Sequence, residues 1–145
     1  MWEKKTACTG ASATDIHCVN NMYSWSLTGT AADGSLFTDF LDRINKALST
    51  SDDGSTVADV CFAGHCDWRV PNIAELRTIL LAICPGGVSP CIDSIFEPTQ
   101  GSRYWSSTTD ASFPCFAWVV GFDGGVVGFV GKDNGFFARA VRGGR

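Results

Sequence analysis

The chain has 145 residues, a formal net charge of −4, 45% hydrophobic residues and 18% charged ones. That length suits one domain with a real core, and the balance excludes a disordered chain. No apolar run is long enough to cross a bilayer, and an acidic chain rich in Phe and Trp lacks the basic face of a nucleic-acid binder.

The opening "MWEKKTACTG" has no apolar signal-peptide core. Trp2 to Lys5 reads as a strand entered midway, which implies a chain cut from a longer protein. It can pair with "FARAVRG" near the carboxyl end and bring the termini together. In "DGSLFTDFLDRINKAL", Leu36, Phe37, Phe40, Leu41, Ile44 and Leu48 recur at helical spacing. Asp33 or Ser35 can cap that helix, and the polar "STSDDGS" ends it. "PNIAELRTILLAI" predicts a second helix, with Asn72 and Glu75 as a capping-box pair. Ile73, Leu76, Leu80 and Ile83 form its buried stripe, and Cys84-Pro85-Gly86-Gly87 is expected to stop it. Next come "AWVVGF" (117–122), "GVVGFV" (125–130) and "FFARAV" (136–141), separated by Asp123-Gly124 and Asp133-Asn134-Gly135. Such turns signal hairpins. The expected architecture is α+β, an antiparallel meander behind two helices. Trp105, Trp118 and Phe122 are expected in its core.

Seven cysteines are many for this length. Cys8 and Cys18, Cys61 and Cys66, and Cys84 and Cys91 each bracket a turn-rich segment, where a short disulfide would hold a loop that lacks core contacts. A zinc site needs closely spaced cysteine pairs with tetrahedral partners, and none occurs. Cys115 is left over, either buried and inert or exposed for a reason.

Enzyme motifs are missing. The two histidines, His17 and His65, read as loop residues, and nothing fixes a His65–Cys115 nucleophile pair. There is no nucleophile elbow, zinc-protease helix or phosphate loop. Asp52, Asp53 and Asp59 lack the spacing of a calcium loop and read as a solvated acidic stretch. No enzyme, cofactor or metal is expected. Arg139, Arg142 and Arg145 read as exposed solubilising residues.

"WRVPNIAELRTIL" (68–80), "YWSST" (104–108) with "AWVVGF", "RAVRGG" (139–144) and "MWEKKT" (1–6) stand in order along the chain. Together they resemble a bacterial C-type-lectin-like family, typified by the carboxyl-terminal domains of collagen-like surface adhesins. The resemblance implies a C-type lectin-like fold: paired terminal strands, two helices packed on antiparallel sheet, long loops, and a binding face on the late strands. It also implies an extracellular location, at a cell or virion surface. Calcium-dependent sugar binding does not carry over, because "VPN" (70–72) lacks the acid of the lectin loop and no W-N-D strand occurs. A sulfatase-activating oxidase shares the broad fold, but its cysteine motif is not visible around Cys61 or Cys115.

Relatives of this kind include variable proteins of diversity-generating retroelements, whose carboxyl-terminal segment is rewritten at adenines of AAC or AAT codons. Against the apparent scaffold of "YWSST", "AWVV", Phe122, Gly125, Lys132 and "RAVRGG", twelve positions depart from the expected polar residues. They are Phe113, Cys115, Phe116, Gly121, Val126, Gly128, Phe129, Val130, Gly131, Asp133, Gly135 and Phe136. All are reachable from those codons by changing adenines, and none is Lys, Glu, Gln, Met or Trp. The expected function is recognition of a protein or cell-surface ligand through these positions, within a variable segment of about 104–144. Phe113, Phe116, Phe129 and Phe136 supply aromatic area, Gly121, Gly128, Gly131 and Gly135 make concavities, and Asp133 orients a basic partner. Val120, Phe122, Val127, Phe137 and Val141 are the fixed inner side. No nucleic acid and no direct membrane insertion are expected; oligomers are compatible with the reading. The alternative is a fixed adhesin domain binding a glycan or glycosaminoglycan, for which Arg103, Lys132, Arg139 and Arg142 would have to cluster.

Overall fold

The computed structural model describes residues 1–46, 61–84 and 88–143. Leu48, Asp52, Asp53, Asp59, Pro85, Gly86, Gly87 and Arg145, which figure in the sequence reading, lie outside them. The architecture is α+β, with two short helices and antiparallel sheets. Strands β2 (Arg103–Thr109), β3 (Phe116–Gly121) and β4 (Val126–Gly131) form a three-stranded sheet in the order β2-β3-β4. A small second sheet pairs β1 (Tyr23–Ser24) with β5 (Gly135–Phe136).

The middle strand β3 is covered on both faces over most of its length, which is why "AWVVGF" is so uniformly apolar. Ala117 and Val119 point into a cluster with Trp25, Leu36, Phe40, Ile44 and Trp105. Val120 and Phe122 point the other way, against Leu76, Ile79, Ile92 and Tyr104. Val127 and Phe137 pack on that second cluster, and Val141 is buried, so the expected fixed inner residues are inside or partly inside. Each fully buried side chain of this size contributes about 1.5–3 kcal/mol.

The first helical segment is π-wound over Leu36–Leu41 and continues as α1 (Asp42–Asn45). Leu36, Phe40 and Ile44 are fully buried, at a four-residue spacing that suits the wider π turn. Neither expected cap acts as one. Asp33 instead accepts from Ser26 Oγ at 2.9 Å, Leu27 N at 2.8 Å and Thr28 Oγ1 at 2.7 Å, tying the loop before the helix. Ser35 Oγ accepts from Ser24 N and makes no helix cap.

Helix α2 (Ile73–Arg77) begins as expected: Asn72 Oδ1 accepts from Glu75 N at 2.8 Å, and Glu75 Oε2 accepts from Asn72 N at 3.0 Å. It ends far sooner than its periodicity predicts. Leu80 leaves the helix to bridge Ile92, and Leu81 N donates to Cys91 O at 3.1 Å. Consequently Ile79 is buried and Ile83 is 78% exposed, contrary to the expected stripe.

The expected third meander strand is also displaced. After β4 the chain crosses the molecule, so Phe137 bridges Tyr104 in parallel on the far side of β2. Trp105 N donates to Phe137 O, and Phe137 N donates to Arg103 O. Rings help to hold it there: Phe136 meets Trp105 at 5.2 Å and Phe137 meets Tyr104 at 5.6 Å. From Phe137 the chain continues to the expected pairing of the termini. Trp2 bridges Val141 antiparallel, and Glu3 N donates to Ala140 O at 2.9 Å.

Burial of charge was not legible beforehand. Arg139 is 1% exposed and donates to Glu3 O at 2.7 Å, Phe96 O at 3.0 Å and Thr99 Oγ1 at 2.9 Å. Glu3 is as deeply buried and accepts from Ala140 N at 2.8 Å, while Lys5 Nζ and His17 Nδ1 each lie 2.8 Å from Oε1. Burial alone would raise the Glu3 carboxyl pKa. The Lys5 charge, with the hydrogen bonds from His17, Lys5 and Ala140, outweighs that and holds it below the ordinary glutamate value. Arg139 is therefore structural, and neither it nor His17 is a loose surface group.

Candidate ligand-binding surface

The β3–β4 hairpin is built by sequence rules that a strand and a tight turn obey. Asp123-Gly124-Gly125 turns the chain, with Gly125 at φ 74° in the left-handed region that glycine adopts without strain. Gly125 N closes the turn on Gly121 O at 2.8 Å. The register sets Phe116 opposite Gly131, Trp118 opposite Phe129, Val119 opposite Gly128, Val120 opposite Val127 and Gly121 opposite Val126. Because successive side chains alternate between faces, this register distributes the candidate positions over two sides of the sheet.

On one side, beyond the part covered by α2, stands a plate of aromatic rings. Phe116 and Phe129 meet at 5.9 Å, Trp118 and Phe129 at 5.4 Å, and Phe113 joins both phenylalanines at 6.0 and 6.4 Å. Phe113 is 54% exposed and Phe129 46%, while Phe116 and Trp118 are half-buried. The loop that presents Phe113 is fixed from beneath: Asp110 Oδ1 accepts from Ser112 N and Phe113 N, each at 2.9 Å, and Phe116 N donates to Phe113 O at 2.8 Å. Trp118, expected in the core, is thus part of the open face. Alternation with Phe116 was the signal that could have shown it.

On the other side, Val126 is exposed, and Gly121, Gly128 and Val130 line an open trough of about 300 Å³ with Arg103 and Asp123. A neighbouring concavity of about 430 Å³ lies between Leu27, Thr28 and Gly29 on one side and the exposed Cys115 and Asp133 with the half-buried Phe116 and Gly131 on the other. Gly135 is exposed on β5. Phe136 differs from the other phenylalanines: it is half-buried, packed on the core beside Trp105, with the Arg103 guanidinium 5.6 Å from its ring centre. The structure therefore gathers ten of the twelve candidate positions around one hairpin and its flanking loops, leaves Gly135 on the separate β1–β5 pair, and turns Phe136 largely inward.

The basic residues do not gather. Lys132 is 1% exposed, lies 3.8 Å over the Trp25 ring, and donates to Thr30 O and Thr109 Oγ1 at 2.9 Å each. Arg142 pairs with Asp67 at 2.8 Å, and Arg139 is inside. Among the described residues the expected basic cluster is reduced to Arg103.

All three cysteine pairs expected from spacing are disulfides: Cys8–Cys18, Cys61–Cys66 and Cys84–Cys91. Cys115 is a free, exposed thiol. Among the described residues no helix is long and apolar enough to cross a membrane.

Comparison with known families places the chain. Residues 1–142 match the family model described as the Lcl C-terminal domain, and the chain belongs to that family. Neither the curated proteins nor the solved structures gave a match.

Proposed function

We propose that this Lcl C-terminal domain is a non-catalytic recognition module on a C-type lectin-like scaffold, whose β3–β4 hairpin and flanking loop bind a protein or cell-surface ligand. We further propose that a retroelement diversifies these positions. The three disulfides support an extracellular setting, since such bonds persist in oxidising compartments. Paired termini, two helices and late strands support the lectin-like scaffold.

The observation that carries the reading is the tolerance built into the glycines. A Cβ at Gly128 would meet nothing within 4 Å, and one at Gly135 would only touch Met22 Cβ at 4.0 Å. At Gly121 and Gly131 the nearest atoms are side-chain oxygens of Asp123 and Asp133, both exposed and able to turn away. None of these four has the positive φ that would strain another residue. Scaffold glycines behave otherwise: Gly125 is left-handed, and a Cβ at Gly34 would lie 2.3 Å from the Ser24 carbonyl oxygen. Gly128 and Gly135 have room for a side chain, and Gly121 and Gly131 gain it when an aspartate turns away; they sit beside exposed aromatic area, which supplies large contact surface on a rigid sheet.

The test is the DNA downstream of the coding region. A near-copy of the segment encoding Tyr104–Gly144, differing at adenines and followed by a reverse transcriptase, is the expected finding. Absence of such a copy would remove the diversification reading. Burial of Lys132 and Arg139 counts against the glycosaminoglycan alternative, which predicts retention on heparin at physiological salt.

A further inference from the structure

The hairpin's second face carries a binding site of its own. Arg103, Gly121 and Val126 stand in one row across β2, β3 and β4, and Val119 and Gly128 stand in the next. Side chains of such a row share a face. Two missing side chains, at Gly121 and Gly128, therefore leave a trough open to solvent, walled by Arg103 on one strand and by Val126 and Val130 on another. The Asp123 carboxylate folds back from the turn over Gly121, its Oδ1 lying 2.6 Å from where a Cβ would stand. A cation and an anion thus line one trough, yet they form no ion pair, and neither has a side-chain hydrogen bond among the described residues. Arg103 is steadied by stacking on Phe136, which leaves the edge of its planar donor fork for a carboxylate.

We propose that this trough binds a zwitterionic head of amino-acid size, its carboxylate on Arg103, its ammonium on Asp123, and an apolar side chain against Val126 and Val130. The volume, about 300 Å³, is at the small end of ligand pockets, roughly 300–1,000 Å³, and matches a terminal group or a dipeptide. Asp123 also repels a ligand that is only anionic, such as an acidic glycan. The inference deepens the reading of the hairpin as a recognition surface and rests on it, while the aromatic plate lies on the opposite face.

The probe is the dipeptide Gly-Val, titrated into the whole domain while backbone amide NMR shifts are followed. Its N-acetyl and C-terminal amide forms, and methyl α-glucoside, serve as comparisons. Saturable shifts at Gly121, Gly124 and Gly128 are expected with Gly-Val. Blocking either terminus, or substituting Arg103→Gln or Asp123→Asn, is expected to weaken binding about tenfold, a loss of the size expected for one charge-assisted hydrogen bond. Gly128→Val fills the floor from a Cβ position with nothing within 4 Å, so it should abolish the shifts and leave the melting temperature unchanged. The proposal is overturned if Gly-Val gives no saturable shift, if the blocked forms bind equally well, or if the neutral sugar binds instead. A double Phe113→Ser, Phe116→Ser variant, changed at rings that do not line the trough, should bind Gly-Val normally. Failure of the trough with a template copy present in the DNA sinks only this inference; binding in the trough with no such copy sinks only diversification.

Discussion

Around the paired termini, the buried charges answer one another; along the β3–β4 hairpin, charges and rings stand open. Glu3, Lys5 and Arg139 are all at most 4% exposed and held by one another or by backbone. Arg103, Asp123, Phe113 and Phe129 are exposed, and the two charges have no ion-pair partners among the described residues. The contrast teaches where this domain keeps its specificity of fold and where it has surface to spare. A buried charge constrains its surroundings because losing its partner is costly, whereas an exposed ring on a finished sheet constrains little.

Breaking the terminal web should have the largest effect. Glu3→Ala leaves Lys5 buried without its counter-charge and is expected to cost about 3–5 kcal/mol in denaturant titration. A mild phenotype would mean that the web is solvated. The Glu3 carboxyl is held below its ordinary value, so its contribution is present above the unfolded glutamate pKa of about 4.3 and is lost as pH falls through the lower folded value. Acid titration of the wild type should show this loss, and the Glu3→Ala variant should lack it.

Two pairs of substitutions sharpen the comparison further. Gly34→Ala meets the Ser24 backbone and is expected to lower stability by about 1–3 kcal/mol, as overpacking does; Gly128→Ala should be near neutral. Unfolding that is equally affected by both would contradict the division between fixed and open glycines. Among the phenylalanines, Phe136→Ser should cost about 2–4 kcal/mol because it leaves a gap beside Trp105. Phe129→Ser should cost under about 1 kcal/mol, since nearly half of it already faces solvent. The smallest effect belongs to Cys115→Ser, with no change in melting temperature expected. The native domain should release one thiol equivalent to a thiol reagent without reduction, as one free cysteine requires.

Much of this was legible locally. The capping box at Asn72 and Glu75 and the Asp123-Gly124 turn involve neighbours a few residues apart, so the chemistry needed is written in adjacent letters. The disulfide pairs were legible for the same reason, since their separations are only 10, 5 and 7 residues. The end of α2 was not, because Leu80 and Leu81 are drawn away by Ile92 and Cys91, more than one turn distant in sequence. Nor was the path of "FFARAV", whose hydrophobic pattern suits either edge of the sheet.

For the candidate surface, the resemblance named the aromatic and glycine positions, and the turn residues alone placed most of them on one hairpin, because they bring 116–121 and 126–131 together whatever the rest of the chain does. Tertiary structure decided which of them matter. Trp105 and Trp118 are the same residue on paired strands, yet one is buried and the other half-exposed; Phe129 and Phe136 divide likewise. Lys132 and Arg139 look like surface cations and are interior ones. The physical reason is that burial depends on which face a register presents and what packs on that face, and both are set by contacts distant in sequence: Trp25, Glu3 and Phe96 for the cations, α2 and the first helix for the sheet.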